Sequence, residues 1–149
     1  MKLFGVEPNI AMLSYSNFSA SKIDSVKKVQ QAVKIIHERF PHIIIDGGLQ
    51  ADFALNEVLR SSKFPFTKIE GKKVNGLIFP NLESANISYK LIKELNKTES
   101  VGPIIMGLKK PVHLIQLRAS VDEIVNIVSV AVVDAQEKEK LAKSKVNKK

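Results

Sequence analysis

Cysteine is absent from the chain. That excludes disulfide staples, thiolate metal ligands and a cysteine nucleophile. Long hydrophobic runs are missing too. The most continuous apolar stretch, Ile124 to Val133, is short and is interrupted by Asn126 and Ser129, whereas a membrane span needs roughly 20 apolar residues. The N-terminus, Met-Lys-Leu-Phe-Gly-Val-Glu-Pro, carries neither a secretory signal nor a transit pattern. A cytoplasmic protein without membrane contact is the expectation.

What remains fits a folded globular chain. The 149 residues suit one domain, and 44% hydrophobic with 26% charged content is not that of a disordered chain. Lys and Arg exceed Asp and Glu by 23 − 15 = 8, which raises the question of nucleic acid. Half of that surplus sits in residues 137–149, EKEKLAKSKVNKK, where no aromatic interleaves the lysines. No recognition-helix or zinc-finger pattern accompanies it. The expectation is a domain over 1–136, a frayed basic tail over 137–149, and no nucleic-acid partner.

Short apolar runs alternate with helical periodicity, the signature of an α/β layer fold. Strands are expected at Asn9–Tyr15, His42–Asp46, Val74–Phe79, Val101–Met106 and Val112–Leu117. Ile23, Val26, Val29, Val33, Ile36 and Phe40 recur at helical spacing and are expected on one face of a helix, with Ser21 or Asp24 as its cap and Pro41 as its stop. Further helices are expected at Asp52–Arg60, at Leu82–Leu95 capped by Asn81, and at Ser120–Ala135. The last opens on Ser120-Val121-Asp122-Glu123, a capping-box spacing. Its Ile124–Val133 portion is apolar on nearly every face and calls for neighbours all around it.

Ligands of open α/β sheets bind where loops gather at the carboxyl ends of strands. Ser14, Ser16, Asn17, Ser19 and Ser21 crowd one such strand-to-helix turn. Hydroxyls, an amide and free helix-start N–H groups suit a phosphate-like anion, although ordinary capping uses the same residues. Gly47-Gly48 reads as loop glycine, since neither G-x-G-x-x-G nor a P-loop is present. Asp46 and Asp52 bracket that turn, but two carboxylates without a third ligand point to capping, and no metal is expected. His37 and His42 read as structural. His113, beside a loop, is a candidate site residue, yet no Ser/Asp arrangement completes a triad with it.

Several segments carry a resemblance. Leu13–Ser19 (LSYSNFS), Asp46–Asp52 (DGGLQAD), Phe79–Ile87 (FPNLESANI), Gly102–Val112 (GPIIMGLKKPV) and Ser120–Asn126 (SVDEIVN) resemble phosphate acetyl/butyryltransferases. Ser16-Asn17-Phe18, Lys110–His113 and Ala131–Gln136 are most similar to the phosphotransacetylase-like C-terminal region of bacterial NADP-dependent malic enzymes. The resemblance runs colinearly over residues 4 to 136 and corresponds to the C-terminal half of the family domain. It implies a three-layer α/β/α sandwich with a mostly parallel sheet, akin to half of an isocitrate or isopropylmalate dehydrogenase. In such a fold two subdomains flank a cleft for acyl-CoA and phosphate. Residues 9 to about 106 would form the second subdomain, and 112–136 the returning piece of the first.

The resemblance breaks at one place. Active transacetylases resemble K-P-V-N-D-L-S-R-G-C-S-V-D-D, in which the Ser-Arg pair assists thiol attack on acetyl phosphate. Gln116 and Leu117 stand at those two positions. Arg118 comes one residue later, which in a strand would face the other way. Arg118 and Glu123 are therefore only weak catalytic candidates. Losing that cation removes a main electrostatic contribution to transfer. The resemblance implies an acetyl-CoA-binding regulatory or assembly module with no covalently bound cofactor. Ser14, Ser16, Asn17, Ser19, Asn86, Met106, Gly107, Lys110, His113 and Gln116 would line the ligand. It would form a homo-oligomer or join a companion chain carrying the other half. An active acyltransferase completed by such a chain, and an inactive remnant, are the alternatives.

Overall fold

The structure, a computed structural model, describes residues 1, 4–19, 22–97 and 100–146, the side chains of 145 and 146 excepted. Eight elements follow one another: β1 (Asn9–Leu13), α1 (Asp24–Arg39), β2 (Ile44–Leu49), α2 (Ala51–Leu55), α3 (Glu57–Lys63), β3 (Gly76–Ile78), α4 (Leu82–Asn96) and α5 (Val121–Val146). The chain is α/β with a parallel sheet of order β2-β1-β3. Its packing divides into two units, the first essentially Val6–Leu91 and the second from Ile92 onward. The division falls inside α4, not near residue 106 as expected.

The first unit is layered around the sheet. Side chains alternate along a strand, so Ala11 and Leu13 join a cluster with Leu49, Ala54, Ile69 and Val74. Met12 points the other way, to Val29, Val33 and Ile45. Ile45 and Leu49 share parity yet belong to opposite clusters. The reason is a bulge: Met12 pairs with Gly47 while Leu13 pairs with Leu49, leaving Gly48 as an extra residue. Gly47-Gly48 is thus strand, not the loop expected, and β2 extends past Asp46. A Cβ on Gly47 would lie 2.3 Å from the Met12 carbonyl oxygen, and one on Gly48 2.7 Å from Ser14 Cβ. Only glycine admits so close a neighbouring strand.

Helix α1 buries Val26, Val29 and Val33 from the predicted stripe, whereas its two ends, Ile23 and Phe40, fall at the caps outside the helix and are exposed. Its cap differs. Ile23 occupies the N-cap without a side-chain hydrogen bond, and Asp24 is the first helical residue, 3.7 Å from Lys27. Ser21 lies outside the described residues. The helix expected over Asp52–Arg60 is broken in two. Asn56 leaves helical geometry at φ −100°, ψ 101° and accepts from the Leu59 N–H at 2.9 Å, ending α2 and capping α3. Asn81 caps α4 as expected, accepting from the Ser84 N–H at 2.8 Å.

In the second unit, neither expected strand forms. Gly102 sits at φ 145° ahead of Pro103, which has no N–H to give a ladder. The stretch 112–116 runs into a turn that the Ala119 N–H closes on the Gln116 carbonyl at 2.9 Å. Helix α5 continues beyond Ala135 into the basic segment to Val146. Ion pairs of Lys138 with Asp134 (2.5 Å), Lys140 with Glu137 (2.6 Å) and Lys143 with Glu139 (2.8 Å) support that extension. Residues 147–149 lie outside the described chain. Among the described residues no helix is long and apolar enough to cross a membrane.

Candidate functional site

The expected site residues fall on both units. In the first, the loop after β1 is held against the end of β2. The Ser14 N–H donates to the Leu49 carbonyl and the Phe18 N–H to the Gly48 carbonyl, both at 2.8 Å. Asn17 and Gln50 clasp each other: Asn17 Nδ2 donates to Gln50 Oε1 at 2.6 Å, and the Gln50 N–H donates to Asn17 Oδ1 at 2.7 Å. Gln50 Nε2 completes the clasp on the Tyr15 carbonyl at 2.7 Å. Gln50 was not singled out in the sequence, although it stands inside the DGGLQAD segment that carried the resemblance.

These bonds fix the loop and consume Asn17. The Ser19 carbonyl accepts from Gln30 Nε2. Ser14 Oγ makes only a long contact with the Ser16 N–H at 3.5 Å. Ser16 Oγ is shielded from solvent and has no hydrogen-bond partner among the described residues. A desolvated hydroxyl with nothing to bond is costly, so it is the group of this loop best placed to take an acceptor or donor from a ligand. Phe18 turns the loop at φ 42° and packs edge-on against Phe64 and Phe66, with centroids 5.2 and 5.0 Å away. Asn86 is exposed on α4.

Asp46 is structural. Its carboxylate accepts from the Gly47 N–H at 2.9 Å and from Thr67 Oγ1 and the Lys68 N–H at 2.8 Å each. Among the described residues no three His, Asp or Glu side chains gather as metal ligands. Sequence reasoning missed Arg60 altogether. It is fully buried, and its guanidinium donates to the carbonyls of Phe53 (3.1 Å), Ala54 (2.8 Å), Ile69 (3.3 Å) and Lys72 (2.6 Å). It ties α2 to the 69–72 segment. No periodicity marks such a residue in a sequence. His37 is structural as expected, its Nε2 lying 2.8 Å from the Ile45 carbonyl oxygen.

In the second unit, Met106, Lys110 and Gln116 are exposed, and Gly107 adopts φ 90° with open space around it. His113 is half-buried; both ring nitrogens are shielded and have no partner among the described residues. Gln116, Leu117 and Arg118 lie at a turn, so strand alternation does not orient Arg118 as expected. Leu117 is fully in solvent, at 107%.

Glu123 forms the predicted capping box. Its Oε2 accepts from the Ser120 N–H at 2.9 Å, and its own N–H donates to Ser120 Oγ at 3.2 Å. Lys93 Nζ donates to Oε1 at 2.8 Å. The Lys93 hydrogen bond, then the Ser120 N–H, then the Lys93 charge hold this carboxyl below its usual range. A cleft of about 230 Å³ opens there, lined by Lys93, Lys97, Ser120, Asp122, Glu123 and Asn126 among others. In the first unit a cleft of about 460 Å³ is lined by Phe18, Gln30, Lys34, His37 and Asp46 among others. Of the expected ligand and catalytic residues, only Glu123 lines either one.

Comparison with known proteins places these features in a family. The model for phosphate acetyl/butaryl transferase matches residues 1–132. An NADP-dependent malic enzyme from Escherichia coli is 43% identical over 137 residues, 91% of this chain and 18% of that protein. A phosphate acetyltransferase from Acetivibrio thermocellus is 40% identical over 134 residues, 90% of this chain and 40% of that protein. Among solved structures, the EutD phosphotransacetylase from Staphylococcus aureus is 34% identical with a TM-score of 0.79, covering 92% of this chain and 42% of its own. The chain thus spans well under half the length of these relatives, and it belongs to the phosphate acetyl/butaryl transferase family.

Proposed function

We propose that this chain is a binding module for acyl-CoA and phosphate-type anions, with a regulatory or assembly role, and that it does not transfer acyl groups efficiently. The observation that carries the reading is the turn at 116–118. Where active relatives are expected to place a serine and an arginine, this chain has the neutral Gln116 and a solvent-exposed Leu117. Neither offers positive charge to a phosphoryl group, and such preorganised charge is a leading source of rate acceleration. Binding groups are nevertheless retained: the unpartnered Ser16 hydroxyl, the unpartnered His113 ring and the exposed Lys110. In the first unit Ser14, Ser19 and Asn86 are assigned as ligand contacts alongside Ser16, with Asn17 shaping the loop; in the second, Met106, Gly107 and Gln116 are assigned alongside Lys110 and His113.

Thermal melting with and without acetyl-CoA tests binding. A ligand at 100 times its dissociation constant adds about 2.7 kcal/mol, worth roughly 2–4 °C per kcal/mol for a chain of this size. A rise of several degrees that shrinks in Lys110→Ala supports the reading. A coupled assay with acetyl phosphate and CoA tests the other half. Turnover that Arg118→Ala abolishes would establish acyl transfer and overturn the non-catalytic role.

A further inference from the structure

Strand β3 begins at Gly76, directly after Asn75, the one asparagine in the sequence that a glycine follows. Asparagine is most prone to spontaneous deamidation in that setting, because no β-carbon shields the nitrogen of the next residue. Water is the only co-reactant. The Gly76 nitrogen gives its proton to solvent and bonds to Asn75 Cγ, while the Cγ–Nδ2 bond breaks and ammonia leaves with a proton. Water then opens the cyclic imide. Cleavage of one C–N bond leaves aspartate; cleavage of the other leaves isoaspartate, with an extra methylene in the main chain. Either way one water is consumed and one ammonia released. Asn75 is exposed, so water reaches it.

We propose that Asn75 is a deamidation site whose reaction is gated by the pairing of β3 with β1. Both ends of its side-chain amide are held by the segment that leads into β1. Oδ1 accepts from the Asn9 N–H at 2.8 Å, and Nδ2 donates to the Glu7 carbonyl at 2.9 Å. The Asn75 N–H donates to the Asn9 carbonyl at 3.0 Å, and Asn9 Nδ2 donates to the Lys73 carbonyl at 3.2 Å. Gly76 is itself paired with Ile10 in the ladder. Ring closure must bring Cγ onto the Gly76 nitrogen and turn the peptide plane between the two residues. Both movements break this set of bonds, so reaction proceeds from molecules in which β3 has opened. The products cannot restore the set. A carboxylate has no N–H for the Glu7 carbonyl and sets two acceptors against each other. Isoaspartate also lengthens the chain ahead of Gly76 and moves β3 out of register with Ile10–Met12. Modification is slow in the folded chain and, once made, holds β3 away from β1.

The test is incubation of the intact chain at mildly alkaline pH, followed by peptide mass spectrometry that separates aspartate from isoaspartate. Conversion at Asn75 should be at least about tenfold faster in guanidinium than in buffer at the same pH and temperature, the factor being set by the opening of β3. Gly76→Val, compared in guanidinium where folding is not at issue, should nearly abolish conversion over the same period. In buffer, Leu77→Ala loosens β3 from the first core cluster and leaves the partners of Asn75 in place, so it should speed conversion. Asn75→Asp, one of the two products, should lower the guanidinium midpoint of unfolding. Equal rates in buffer and guanidinium, or a Leu77→Ala rate equal to the parent's, would overturn the gating. Absence of conversion in guanidinium, or conversion indifferent to Gly76→Val, would overturn the site. An Asn75→Asp chain as stable as its parent would overturn the opening of β3 by the product.

Discussion

The two units of this chain handle their apolar side chains differently. The first buries them in two clusters on opposite faces of a parallel sheet, against which α1 and α2 pack. The second holds an extended stretch without a strand and a long helix buried along one face only. The contrast shows that hydrophobic content does not decide burial. Val128 and Val132 are as apolar as Val29 and Val33, but only the latter pair has a sheet to lie on. Substitutions should therefore act as tertiary damage in the first unit, and as local or surface effects in the second.

Arg60→Ala should have the largest effect, about 3–5 kcal/mol by urea unfolding. It empties a fully buried volume and strands carbonyls that the guanidinium satisfies. A loss under about 1 kcal/mol would mean water replaces the side chain at little cost. Gly47→Ala should follow at about 2–4 kcal/mol. Its φ of 152° disfavours a side chain, and its Cβ would collide with the Met12 carbonyl on the adjoining strand. An intact register in that variant would show the bulge to be incidental.

In the second unit the effects shrink. Ser120→Ala should cost about 1 kcal/mol of α5 stability, the usual price of a lost cap. The smallest effect is the acid response of Glu123. Its folded carboxyl titrates below the ordinary value, so its contribution is present above the unfolded value, near 4.3, and is lost as pH falls through the folded one. NMR titration should give Glu123 a midpoint below that of a free glutamate. Lys93→Met should raise it, since the Lys93 bond is the leading cause.

Features set within a few residues were legible in advance. Asn81 and the Ser120–Glu123 box cap their helices because the donors lie three positions away. The α1 stripe was readable because its period needs only the helix itself. Gly47-Gly48 was misread because a glycine pair after an apolar run looks the same whether it ends a strand or bulges one. Only the approach of Met12 and Ser14 distinguishes the two. The 101–106 and 112–117 runs are apolar enough for strands, yet a strand exists only beside another. At the candidate site the loop residues and the neutral Gln116-Leu117 could be read directly. The Asn17–Gln50 clasp, between residues 33 apart in the chain, could not.

By itself the amino-acid sequence determined the family, the α/β class, the local caps and the chemistry available at residues 116–118, because each follows from residue identity or short spacing. Tertiary structure alone decided which apolar residues are core and which face solvent, why two adjacent glycines lie within a strand, and that a lone arginine is internal. Those outcomes depend on which distant backbone comes close, and nothing in a residue's neighbours along the chain encodes that approach.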